Sequence, residues 1–192
     1  MVYLVLGLVI FLGVHSVRMV AEGWRTRTVA RVGVGAYKGL YSVVSLLGFG
    51  LIVYGFGLAR QQPVQLWALP FGMKHVASTL MLVSLVLLAA AYVPGNQIKA
   101  RLHHPMVLSV KTWALAHLLA NGNLAHVVLF GAFLAWAVWN FVAARKRDRA
   151  GGVTYPAGTA RATMLAVVVG LAAWALLAFW LHGWLIGVRP LG

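Results

Sequence analysis

The sequence contains no cysteine. Disulfides, iron–sulfur clusters, thiolate zinc sites and covalent c-type haem attachment are therefore all excluded. Acids are almost as scarce: Glu22 and Asp148 are the only two among 192 residues. There are not enough carboxylates for a two-carboxylate hydrolase, a two-metal phosphatase or an EF-hand. Charge of any kind is rare, at 9% of residues against about a quarter in soluble domains. What fills the chain instead is apolar, 62% by count. The sixteen Lys and Arg are too few beside that apolar mass for a nucleic-acid module, so no nucleic-acid partner is expected. The remaining reading is a multi-pass membrane protein whose partner is the lipid bilayer.

Uncharged intervals mark the spans. Met1–Val17, Gly39–Ala59, His75–Ile98, Thr112–Ala144 and Ala162–Val188 carry no Lys, Arg, Asp or Glu. A span needs about 20 apolar residues at roughly 1.5 Å each. The fourth interval has 33 residues and is split by Asn121-Gly122-Asn123, a turn signal, so it holds parts of two helices. The expectation is an all-α, polytopic transmembrane bundle forming one domain over residues 1–192. Its six helices would cover about 2–21, 38–60, 73–93, 105–121, 123–144 and 162–187. The first lacks a basic leader region and reads as a span rather than a signal peptide.

Twelve of the sixteen cations fall in segments 18–38, 94–105 and 144–161. By the positive-inside rule those loops are cytoplasmic and both termini lie outside, in an inner membrane if the cell has two. Arg145–Gly158 reads as a solvated basic loop. Small residues at helical spacing, Gly48 with Gly55, Gly131 with Ala135 and Ala166 with Gly170, predict close helix packing. No inverted repeat or Gly/Pro-broken helix pair points to a secondary transporter.

With no membrane carboxylate, polar chemistry in the bilayer falls to imidazoles. His15 lies on a stripe with Leu8, Phe11, Arg18 and Glu22, about 10 Å inside the cytoplasmic edge of a ~30 Å core. Arg18 and Glu22 are spaced to pair. His117 is placed roughly 18 Å from that edge, on a face with Met106, Val110, Trp113 and Asn121. Two readings fit such a pair: hydrogen-bonded packing residues, or axial ligands to an iron porphyrin. Lys111, on a different stripe, either snorkels to the surface or offers a cation to an acidic group of a cofactor. His103 and His104 precede Pro105 at a helix start. His75, His126 and His182 fall near the outer ends of helices, where a polar cluster is conceivable but would lack any carboxylate support.

The run His104-Pro105-Met106, then Lys111-x-Trp113-Ala114-Leu115-Ala116-His117-Leu118-Leu119-Ala120-Asn121-Gly122, resembles the signature of the NnrU family of bacterial membrane proteins. His15-Ser16-x-Arg18 and Gly35-x-Tyr37-Lys38-x-x-Tyr41-Ser42-x-x-Ser45 fit the same family. The resemblance implies a role in nitrite and nitric oxide metabolism. It also implies kinship with the plant zeta-carotene isomerase, a haem b membrane enzyme. Carried over by position, it implies His15 and His117 as ligands of a haem iron, with His104, Lys111 and Trp113 in the cofactor's surroundings. That isomerase has a Cys where this chain has Ala114, so its proposed ligand exchange does not carry over. The functions expected are a b-haem protein of nitrogen-oxide metabolism or a redox-dependent isomerase of an apolar substrate. The alternative is a cofactor-free accessory protein for a membrane redox complex.

Overall fold

A computed structural model describes residues 1–191. Among them helices dominate and no strand is formed, only the isolated bridges Gln65–Asn123 and Asn96–Thr159. The order is α1 (Val2–Val20), α2 (Glu22–Val32), α3 (Val34–Gln61), α4 (Met73–Tyr92), α5 (Gln97–Leu102), α6 (Pro105–Ala120), α7 (Leu124–Ala150) and α8 (Ala160–Leu176). A π-helical turn, Leu177–Leu181, then leads into α9 (His182–Ile186).

Five helices are long and apolar enough to cross a membrane: α1, α3, α4, α7 and the α8–α9 run Ala160–Ile186. The sixth expected span, α6, is apolar but has 16 residues. At about 1.5 Å per residue that is roughly 24 Å, somewhat short of a ~30 Å core. Large apolar side chains point outward, among them Leu40 at 67% and Leu46 at 69% exposure. In water such a surface would aggregate; against lipid it is the stable arrangement, because only backbone satisfaction is obligatory there.

The connections are more ordered than their composition predicts. The basic segment after α1 folds into α2, and the one before α6 contains α5. The expected loop at Arg145–Gly158 is a loop only in its second half, because α7 continues to Ala150. Charge ended the predicted span at 144, but Arg and Lys are good helix formers, and an α-helix need not stop where the lipid does.

The chain divides into two compact units. The first comprises Met1–Leu66 and Asn123–Ala132. Here α1 and α3 pack backbone to backbone. A methyl added at Gly7 would lie 2.6 Å from the Ile52 nitrogen, and one at Gly48 would lie 2.8 Å from the Phe11 nitrogen. A methyl at Gly55 would strike the Leu4 nitrogen. The expected small-residue seam is thus real on α3, and Gly7 answers it from α1. It is absent at Gly131, where an added methyl meets nothing within 4 Å.

The second unit comprises Trp67–Gly122 and Phe133–Gly192. In it α4 packs against both α6 and α8. The buried Ser84 hydroxyl reaches Ser109, 2.9 Å from its carbonyl oxygen. The Trp174 indole donates to the Ser78 carbonyl at 3.1 Å. Gly170 lies so close to Val86 that a methyl there would sit 2.5 Å from the Val86 Cα. Asn96, 1% exposed, organises the α4–α5 turn. Its amide donates to the Ala90 carbonyl at 2.8 Å and its oxygen caps α5 at the Lys99 nitrogen, also 2.8 Å.

Candidate functional site

In the first unit, His15 sits on α1 as expected, half-buried. Its Nδ1 lies 2.6 Å from the Phe11 carbonyl oxygen. A carbonyl only accepts, so Nδ1 carries a proton, and in the neutral ring Nε2 carries the lone pair. Phe11 stacks on the ring at 4.3 Å between centroids, and Tyr41 of α3 meets it edge-on at 5.2 Å. Phe49 adjoins Phe11 at 6.3 Å. The imidazole is therefore set in an aromatic surround.

Toward the end of α1 the polar stripe finds its partners. Glu22 lies 3.7 Å from Arg18, the expected pair, and 3.2 Å from Arg25. Arg25 also lies over the Tyr37 ring at 5.8 Å. His126, at the start of α7, has its Nδ1 2.5 Å from the Asn123 side-chain oxygen and meets Phe56 edge-on at 5.0 Å.

In the second unit, His117 lies on α6, half-buried. Its Nδ1 is 2.9 Å from the Trp113 carbonyl oxygen, so it has the same tautomer as His15. The Trp113 ring lies 5.4 Å from the imidazole and is met edge-on by Phe133 at 5.3 Å. Asn121 donates to the His117 carbonyl at 2.8 Å, tying off the last turn of α6. Lys111 is half-buried at mid-helix. His182 is 2.6 Å from the Val188 carbonyl through its Nδ1, and His75 is exposed at the start of α4. Among the described residues no three of His, Cys, Asp or Glu are grouped to hold a metal ion. A porphyrin iron needs fewer, since two imidazoles fill its axial positions.

The network at the other end of α6 is the part that sequence reasoning missed. His104, which the resemblance put in the cofactor's surroundings, directs Nε2 to Asp148 Oδ2 at 2.7 Å. The Tyr155 hydroxyl donates to that same oxygen at 2.8 Å. His103 stacks on Tyr155 with centroids 4.1 Å apart and accepts a hydrogen bond from Arg145 at Nδ1. His103 also holds a positive φ of 68°, unusual for a non-glycine residue. Partial burial and the neighbouring Asp148 carboxylate push the Tyr155 phenol above its usual range. The visible signal was a lone acid within Arg145-Lys146-Arg147-Asp148-Arg149 and a His doublet before a helix-starting proline.

A model of the NnrU protein matches residues 3–190, nearly the whole sequence. The chain belongs to the NnrU family. No match was found among curated proteins or among solved structures. Family membership covers both compact units of this NnrU chain, so His15, His104 and His117 all lie within the matched region.

Proposed function

We propose that this NnrU-family protein binds b-type haem through His15 and His117 and acts in nitrite and nitric oxide metabolism. The observation that carries the reading is the shared state of the two rings. Each donates from Nδ1 to a helical carbonyl, at 2.6 and 2.9 Å, so Nε2 is the nitrogen that would ligate an iron. The donor set, two imidazoles with no thiolate or carboxylate, fits a haem iron. Such a haem would supply one-electron chemistry in a dry site. Phe11 and Tyr41 hold the His15 ring in place, and Trp113 does so for His117. Lys111 would offer its ammonium to an acidic group of the cofactor. The family's link to an isomerase extends the reading to redox-dependent isomerisation of an apolar substrate. We assign segments 18–38, 94–105 and 144–161 to the cytoplasmic side of the inner membrane, on the strength of their cations.

The test is a Soret band. Protein purified in detergent should show one, and His15→Ala and His117→Ala should each abolish it while the protein stays helical. A colourless, folded protein that takes up no haem on reconstitution overturns the reading.

A second reading, an accessory protein docking on a membrane redox complex, draws on α2. That helix buries no residue and exposes Arg27 and Arg31. If Arg27 and Arg31 substitutions abolish the cellular phenotype while the two His substitutions leave it intact, this second reading holds.

A further inference from the structure

An open cleft of about 200 Å³ lies where α4 ends and α6 begins. Its lining is divided by chemistry. Lys99, His103 and His104 form one part; Pro105, Met106 and Val107 form another, with Ala91 beside them. Lys99 has no acid beside it: its ammonium donates to the Ala91 carbonyl at 3.2 Å. The one carboxylate of this unit, Asp148, is engaged by His104 and Tyr155. Arg145 stands behind the lining and donates to His103. The cleft thus sets one ammonium without an acid partner, that of Lys99, beside the apolar Pro105, Met106 and Val107.

Position completes the argument. α4 is long and apolar enough to cross a membrane, and the cleft sits at its last turn, where a spanning helix would meet the lipid headgroups. We infer that this cleft binds the phosphate headgroup of an anionic phospholipid, with Lys99 as the principal cation and Met106 and Val107 against the glycerol and upper acyl carbons. An acid partner for Lys99 is what the cleft lacks, and a phosphodiester would supply it. The inference is independent of haem.

The experiment is native mass spectrometry of delipidated, full-length protein in detergent, offered phosphatidylglycerol or phosphatidylcholine. Phosphatidylglycerol should be retained preferentially. Lys99→Gln removes the charge but keeps a donor for Ala91, and should cut that preference about fivefold, the worth of one interfacial cation. Lys74→Gln lies about 26 Å away along α4 and should leave it unchanged. Met106→Trp fills the cleft without altering charge and should also cut retention, which keeps the test intact if Lys99→Gln does not fold. Equal retention of the two lipids overturns the inference, as does a preference that survives both Lys99→Gln and Met106→Trp. If millimolar inorganic phosphate displaces the lipid completely, the site is one for free phosphate and the lipid assignment falls.

Discussion

His104 Nε2 lies 2.7 Å from Asp148 Oδ2, joining residues 44 positions apart. Both side chains are mostly covered, at 19% and 17% exposure. The contact ties the residue that caps the start of α6 to the last turn of α7, and Tyr155 adds the following loop to the same oxygen. Asp148→Asn or His104→Gln should therefore lower the thermal midpoint in detergent by on the order of 2–4 °C. The double variant should fall little below the worse single one, because the two residues share one interaction. Fully additive losses would show that they act separately.

Tyr155 gives a spectroscopic reading of the same cluster. Its phenol is pushed up by partial burial and by the Asp148 carboxylate, so the folded state holds that proton more tightly than the unfolded state. The stability it contributes is complete below about pH 10, the unfolded phenol value, and is lost as pH rises through the higher folded value. Absorbance at about 295 nm, wild type minus Tyr155→Phe, should show a midpoint above that ordinary phenol value. A midpoint at or below it would contradict the arrangement.

Glycine substitutions separate seam from surface. Gly55→Ala forces a methyl into the α1 backbone and should destabilise by about 1–3 kcal/mol. Gly131→Ala places a methyl in open space inside a helix and should stabilise by up to about 1 kcal/mol. Thermal denaturation in detergent distinguishes them; equal effects would deny the close packing of α1 on α3.

The haem reading makes a complementation prediction. His117→Gly should lose the Soret band and regain it with added imidazole, which restores the missing ligand atom. A band unchanged by the substitution would place the iron, if any, elsewhere.

The spans were legible because the bilayer demands long uncharged runs, and α1 and α4 end within a residue or so of the expected boundaries. The α1–α3 seam was half legible: Gly48 and Gly55 show their spacing in sequence, but Gly131 shows the same pattern and packs nothing in that way. Spacing reports which residues share a face, not whether a neighbour covers it. The cluster at His104 was opaque because its members come from the α5–α6 connection, α7 and the loop after α7, and no local pattern links a His doublet to an acid 44 positions later. Net charge hid it as well, since Asp148 among four cations reads as one more solvated residue.

The π turn at Leu177–Leu181 holds one residue more than an α-helix would use there. Everything after it, His182 included, is rotated about 100° from where an unbroken helix would carry it. A one-residue deletion in this turn would leave composition and hydropathy nearly untouched, yet swing Trp184 and His182 onto a new face. The turn therefore acts as a register key, and the end of the chain is specified by length as much as by residue type.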